Sequence, residues 1–282
     1  GARGPRLETG RESIASPYWT SVLALLVLSG CFARQPDRRP WLQDAYGPTS
    51  SPGVDLPEFT RPTIELSEGH HRLAIEGPDG KRYAVRWDSR SESLGSANTG
   101  SLEDGAPLPG KGVGFQHVGK SPYGTDETIT FLQLAAYVVH QGDPERPPVL
   151  IGDISREGGG HLSPHKSHRT GRDVDVGFYA ADGKPRRRFQ AMNPRELDAT
   201  ATWAFIEVLL RTGQLQYVFI DRRLHSPLWD AAEARGFSEA SLQKLFEGHG
   251  DDRRSTIRHV PGHADHLHVR FRCPDSDANC TD

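Results

Sequence analysis

Methionine occurs once in these 282 residues, cysteine only three times, and charge of neither sign dominates. With 34 basic against 37 acidic side chains and a formal net charge of −3, the chain lacks the electrostatic footprint of a nucleic-acid-binding protein. An odd cysteine count excludes a framework in which every thiol pairs within the chain. Internal repeats, a phosphate-binding glycine loop and a Gly-x-Ser-x-Gly elbow are all missing, which removes the usual sequence markers of solenoids, nucleotide enzymes and serine hydrolases. Thirty glycines and twenty-one prolines favour loops over long helices. With one methionine and glycine at position 1, the translational start is expected to lie outside this sequence.

Histidine, by contrast, is concentrated. The segment His161-Leu-Ser-Pro-His165-Lys-Ser-His168-Arg-Thr-Gly171-Arg-Asp173-Val-Asp175-Val carries three, and His259-Val-Pro-Gly-His263-Ala-Asp-His266-Leu-His268-Val-Arg270-Phe-Arg272-Cys273 carries four. In Arg172–Gly177 valine and aspartate alternate, the pattern of a strand with one buried and one open face, so Asp173 and Asp175 share the open side. The second cluster behaves alike: Leu267, Val269 and Phe271 share one face, while His266, His268, Arg270 and Arg272 share the other. If the two strands pair, Asp175 and His268 project towards a common point, and His168 reaches it from the preceding turn, which Gly171 permits. His168, Asp175 and His268 are therefore the expected metal ligands. Three nitrogen and oxygen ligands with a fourth position left to water make a catalytic zinc site, whereas a structural zinc is closed by four protein ligands that commonly include cysteine. Only Cys273 lies near either cluster, at its edge.

Elsewhere the patterns are ordinary. Trp19–Leu28 is a short apolar run preceded by Arg3, Arg6 and Arg11, too short for a spanning helix and suited to a signal-peptide core. It ends in Leu28-Ser-Gly-Cys31, similar to the bacterial lipoprotein processing site, so Cys31 is expected to carry lipid; the alternative is an ordinary signal peptide with an accidental cysteine. Phe32 in place of aspartate does not suggest inner-membrane retention. Residues 32–62 are rich in proline, charge and small polar residues and are expected to form a flexible tether. Arg72–Glu76 and Arg82–Trp87 alternate around Pro78-Asp-Gly80, a hairpin signal. Residues 126–141 have helical periodicity, Val149–Ile154 reads as a buried strand, and Asn193-Pro-Arg-Glu196 reads as the capping box of a helix running to Arg211. A strand at Tyr217–Ile220 and short helices from Ser226 and Ser238 complete an expected α+β fold, an antiparallel sheet with helices packed on one side and zinc on the open face.

Taken together, Gly159-Gly160, Pro164-His165-Lys-Ser-His168-Arg-Thr-Gly171-Arg-Asp-Val-Asp175 and His263-Ala-Asp-His266-Leu-His268-Val-Arg-Phe-Arg-Cys273-Pro274 resemble the penicillin-insensitive murein endopeptidases, within the lysostaphin, D-Ala-D-Ala peptidase and hedgehog zinc superfamily. Weaker similarity starts near Glu92-Ser-Leu-Gly-Ser and runs through Leu108-Pro109 to residue 282, about two thirds of the chain. The Glu-x-Trp-His element of the carboxypeptidase branch is absent. The resemblance implies the same ligands, His168, Asp175 and His268. It also places His266 beside the nucleophilic water, with His165 and His263 as further active-site histidines. The expected activity is hydrolysis of peptide cross-links in peptidoglycan, at D-Ala to diamino-acid amide bonds. A zinc carboxypeptidase or amidohydrolase on the same fold and a non-catalytic wall-binding zinc protein are the alternatives.

Roles follow from side-chain chemistry. His266 is the expected base, with His263 and His165 orienting water or stabilising an oxyanion. His165 is also a possible fourth metal contact. Asp173 is a candidate partner for a ligand imidazole, and Arg270 a candidate for a stem-peptide carboxylate. One zinc per chain is expected, and a second metal is left open. The resemblance implies a Cys273–Cys280 disulfide; two free thiols on a frayed tail are the alternative. The expected organisation is a lipoprotein-type signal peptide over 1–31, a tether over 32–62, a β-hairpin element over 63–90 and a zinc endopeptidase domain over 91–282. The expected partners are peptidoglycan stem peptides and, through Cys31, the outer membrane of a bacterial envelope; nothing in the residues points to a protein partner.

Overall fold

The computed structural model describes residues 42–46, 63–67, 69–249 and 254–282; the expected signal peptide, Cys31 and most of the expected tether lie outside them. The alternating segments near the start form a four-stranded sheet: β1 (Leu42–Tyr46), β2 (Glu65–Ser67), β3 (His70–Glu76) and β4 (Arg82–Trp87), ordered β1-β4-β3-β2 and antiparallel throughout. The stretch read as a tether therefore contains a paired strand, with Leu42 opposite Val85. The hairpin turns where expected: Gly77 N–H donates to the Lys81 carbonyl, and Gly80 takes the positive φ that a side chain resists. His70 pairs with Asp88 and His71 stacks on Trp87, so neither joins the histidine clusters.

Short strands follow: β5 (Glu92–Ser96), β6 (Ser101–Glu103), β7 (Ala106–Pro107), β8 (Lys111–Gly112), β9 (Phe115–His117) and β10 (Tyr123–Gly124). Helix α1 (Asp126–Gly142) begins at Thr125, whose hydroxyl accepts from Thr128 N–H, with Asp126 and Glu127 in the first turn. Then come β11 (Val149–Ile151), β12 (Asp173–Gly177), α2 (Ala199–Arg211), β13 (Leu215–Ile220), α3 (His225–Ala234), α4 (Glu239–Leu245), β14 (Ile257–His259), β15 (His266–Phe271) and β16 (Cys280–Thr281). The fold is α+β. Its central sheet has the order β14-β13-β15-β12-β11-β9-β8. The middle pairings are antiparallel as expected, but β14–β13 and β11–β9 are parallel. The reason is connectivity: α1 lies between β9 and β11, and α3 and α4 lie between β13 and β14, and a helical crossover returns the chain in the same direction.

One further expectation shifts. Asn193 and Glu196 do form the reciprocal capping bonds, Asn193 N–H to Glu196 and Glu196 N–H to Asn193, yet they close a turn rather than open α2. The next residues are already committed: Ala181 N–H donates to the Glu196 carbonyl and Asp198 N–H to the Tyr179 carbonyl. The helix starts only after this pairing, with Asp198 as its cap.

Val174, Val176, Leu267, Val269 and Phe271 turn one face of β12 and β15 into a core shared with α1 and α2, including Phe131, Leu132, Trp203 and Ile206. Leu73, Ile75, Tyr83, Val85 and Trp87 enter the same core, so the hairpin does not stand apart from the residues after it. Trp87 meets Phe131 edge-on with ring centres 5.3 Å apart, and its indole N–H donates to Glu127 at 2.8 Å. Cys273 and Cys280 are joined in a disulfide.

Glu127 is buried, and burial, opposed by the Trp87 hydrogen bond, pushes its carboxyl up to about 7. An acid with a raised folded pKa binds more protons folded than unfolded between the two values, so stability falls as pH rises from 4.5 to about 7. Glu127→Gln keeps an acceptor for Trp87 and removes that loss. Thermal unfolding should show the variant more stable than the unmodified protein at pH 8 and little changed at pH 4.5.

Candidate metal centre

The antiparallel register of β12 and β15 puts Asp173 opposite Arg270, Asp175 opposite His268 and Gly177 opposite His266. Since alternate residues share a face, these three rungs line up on the side of the sheet away from the valines. His168 joins them from the loop between β11 and β12. It is fully buried and holds φ +62, a left-handed backbone that a non-glycine residue adopts at a cost of about 1–3 kcal/mol. Gly171, three residues on, also has positive φ and lets the loop turn back into β12.

Hydrogen bonds decide which nitrogens face inward. His168 Nδ1 lies 2.9 Å from the Ile154 carbonyl, which can only accept, so the proton sits there and Nε2 carries the lone pair. His268 Nε2 donates to Asp173 at 2.6 Å, leaving its Nδ1 as the lone pair. These two lone pairs lie 3.2 Å apart, and each is 3.3 Å from Asp175 Oδ1. Asp175 Oδ1 is itself buried with no hydrogen-bond partner. Three acceptors with no proton between them repel one another unless a cation occupies the centre. A regular tetrahedron of donors about 2.0–2.1 Å from zinc has edges of about 3.3–3.4 Å, which this triangle matches. In the absence of metal a proton takes the same place. Burial opposes charge on His268, but Asp173 and Asp175 outweigh it and raise the imidazole to about 9; the facing imidazoles likewise hold Asp175 well below the carboxylate range despite its burial.

His165 sits at the edge. Its Nδ1 is 3.8 Å from Asp175 Oδ2 and its Nε2 is 3.7 Å from Asp153 Oδ2. His165, His168 and Asp175 could also share a metal, their ligand atoms lying within 4.8 Å of one another, but the triangle through His268 is the tighter. Asp153 chiefly, and Asp175, favour the charged form of His165 against its burial. Opposite, His266 Nδ1 donates to Asp265 at 2.7 Å, which turns Nε2 towards the centre, 3.5 Å from Asp175 Oδ1. His263 Nδ1 donates to the Val260 carbonyl at 3.1 Å, and burial and then the neighbouring imidazoles disfavour charge on it. His161 pairs with Arg169 and His259 accepts from Arg222 N–H, so neither reaches the centre.

Two expected residues take specific places. Asp173 Oδ1 accepts from both His268 and Arg270 Nε, the latter at 2.8 Å. Arg270 thus braces Asp173 with its Nε, and its guanidinium carbon lies 5.8 Å from the centre of the Phe219 ring. Three residues without an assigned role in the sequence also belong here. Asp265 is adjacent to His266 in sequence, a signal that was available. Asp153 takes N–H bonds from Lys120 and Ser121 and faces His165. Phe189 stacks on His266 with ring centres 5.3 Å apart, and nothing in its Lys184–Gln190 surroundings announced it.

Asp173→Asn leaves the shape but removes the charged acceptor from His268 and Arg270. Competition with a chromophoric chelator should show zinc affinity falling about tenfold to a hundredfold, the usual effect of losing a partner that orients a ligand. If a metal enters against His268, the proton that Asp173 and Asp175 hold on its imidazole must leave, so affinity for zinc added as a probe metal should rise from neutral pH towards about 9 and then level off.

Residues 93–282 match the family described as penicillin-insensitive murein endopeptidase. The chain is 27% identical over 228 residues to the protein of that name from Klebsiella pneumoniae (strain 342), covering 74% of this chain and 79% of that one. It is 27% identical over 201 residues to that from Yersinia pestis bv. Antiqua (strain Antiqua), covering 68% and 70%, and 25% identical over 218 residues to that from Haemophilus influenzae (strain ATCC 51907 / DSM 11121 / KW20 / Rd), covering 71% and 70%. A match over most of the chain, spanning both histidine clusters, makes it a member of the penicillin-insensitive murein endopeptidase family.

Proposed function

We propose that the chain is a zinc-dependent murein endopeptidase that hydrolyses peptide cross-links of peptidoglycan at D-Ala to diamino-acid amide bonds. The observation that carries this reading is the convergence of three ligand atoms within 3.3 Å of one another, His168 Nε2, Asp175 Oδ1 and His268 Nδ1, with Nε2 of His266 at 3.5 Å from the same carboxylate oxygen. The first three residues would hold one zinc. When bound, zinc supplies a water acidified towards neutrality and a Lewis acid for the scissile carbonyl.

The remaining chemistry belongs to the side chains. His266 Nε2 takes the proton of the attacking water, and Asp265 at Nδ1 stabilises the imidazolium that results. His165 and His263 flank the centre in opposite states. Asp153 and Asp175 favour a proton on His165, which suits it to donate to a developing oxyanion, while His263 stays neutral and holds the water by its free nitrogen. Arg270 acts through Asp173 in this reading; a direct contact with a stem-peptide carboxylate is left to its remaining nitrogens.

We place the enzyme in the bacterial envelope, anchored to the outer membrane by lipid on Cys31. The Leu28–Cys31 sequence and a disulfide that an oxidising compartment permits support this. Among the described residues no helix is long and apolar enough to cross a membrane.

The test mixes the zinc-loaded protein with purified cross-linked muropeptide dimers and follows products by mass spectrometry. Dimers should split into monomers whose masses locate the broken bond. His266→Ala should slow cleavage by about 10²–10⁴-fold while zinc stays bound, and chelation should stop it. Monomers that lose only a terminal residue would instead make the protein a carboxypeptidase. Intact dimers held by a zinc-loaded protein would make it a wall-binding module.

A further inference from the structure

His266 can act on a water only if the plane of its ring is held, because rotation about its Cβ–Cγ bond swings Nε2 away from the centre. Its hydrogen bond to Asp265 holds one nitrogen, at 2.7 Å, but the Asp265 side chain is itself 41% exposed and touches only the edge of the ring, leaving the ring faces to be held by other groups. The face of the ring is covered by Phe189, 18° from parallel with centres 5.3 Å apart. His263 lies on the imidazole as well, its ring centre 5.0 Å away and tilted by 51°.

Phe189 is itself seated in a slot. Its ring lies over two glycines, Gly152 beside β11 and Gly177 at the end of β12. A Cβ at Gly152 would come within 2.7 Å of the ring, and one at Gly177 within 3.2 Å. Gly177 is the residue directly opposite His266 in the β12–β15 register. The sheet thus leaves side chains out where the phenyl ring must lie flat against the imidazole. The loop that delivers Phe189 is closed at both ends: Ala180 bridges Leu197, and Met192 N–H donates to the carbonyl of Ala264, two residues before His266. The ring and the histidine therefore belong to one braced unit.

We propose that Phe189 is a positioning residue that fixes the plane of the His266 imidazole and so aims Nε2 at the metal centre. This rests on the zinc endopeptidase reading only for its kinetic consequence; the geometry of the ring is a separate matter and can be read without turnover. The required property is a flat aromatic face, so a residue of similar volume without one is a poor substitute.

The experiment compares the full-length protein with Phe189→Ala, Phe189→Leu and Phe189→Tyr. With zinc-loaded enzyme and cross-linked dimers, Phe189→Ala and Phe189→Leu should lower kcat by about tenfold to a hundredfold, the scale expected for a misplaced catalytic group. KM and zinc affinity should stay within about twofold, and Phe189→Tyr should recover most of the rate, because its ring stacks in the same slot. In parallel, NMR of histidine-labelled protein should show one set of His266 ring signals, with cross-relaxation to His263, in the unmodified protein and in Phe189→Tyr. Phe189→Ala should give averaged or multiple sets. An unchanged kcat in Phe189→Ala, equal loss in the alanine and tyrosine variants, or a rise in KM at constant kcat would each overturn the proposal, the last by making Phe189 a substrate contact. If the unmodified enzyme cleaves nothing, the endopeptidase reading fails by itself. The NMR comparison then still decides: a His266 ring equally ordered without Phe189 refutes the positioning role.

Discussion

Everything at the centre depends on the register between Asp173–Gly177 and His266–Phe271. A slip of one residue in either strand would turn the valines outward and the carboxylates and histidines into the core. Held in register, three consecutive outward rungs divide the labour. Asp173 and Arg270 brace, Asp175 and His268 turn their donor atoms to the centre, and Gly177 leaves room for the ring that covers His266. The opposite face secures this arrangement, since Val174, Val176, Leu267 and Val269 are all fully buried in the common core.

Such a centre gathers groups that resist being gathered. Asp173 is wholly buried, a position a carboxylate tolerates only when its charge is met; His268 and Arg270 both donate to one of its oxygens. His168 holds a left-handed backbone in a buried loop, and its bond to the Ile154 carbonyl both offsets that strain and selects the tautomer. Strain and burial of this kind concentrate where function requires fixed geometry. The pattern of second partners is consistent: His168, His266 and His268 each turn one nitrogen to the centre because the other is committed, to a carbonyl, to Asp265 and to Asp173.

The rest of the fold stiffens the sheet from behind and from its end. Arg172, immediately before the strand, is fully buried and donates to Ser93 of β5, to the Phe271 carbonyl at the end of β15, and to Asp282 and the Thr281 carbonyl. The disulfide holds that tail near the end of β15, so one guanidinium ties three segments beside the site. The hairpin of β3 and β4 contributes Trp87 and Tyr83 to the same core rather than forming a separate module.

Much of this could be read from residues alone. Two-residue alternation assigned both strands and their open faces, and His-x6-Asp with a later His-x-His identified the groups that now converge. The α+β class followed from helical and strand periodicities, which are local properties. Where local signals compete with distant ones they mislead: the Asn193 capping box forms but does not start a helix, because Glu196 and Asp198 are taken by residues 179–181. The parallel pairings of β11 with β9 and of β14 with β13 depend on helical crossovers, and the docking of the hairpin on a core it supplies only in part. What tertiary structure alone decided is which side chain orients which: Asp173 with His268 across 95 positions, Asp153 with His165, and Phe189 with His266. No periodicity encodes those contacts, since they arise when loops fold over a sheet and fill spaces left by glycines at Gly152 and Gly177.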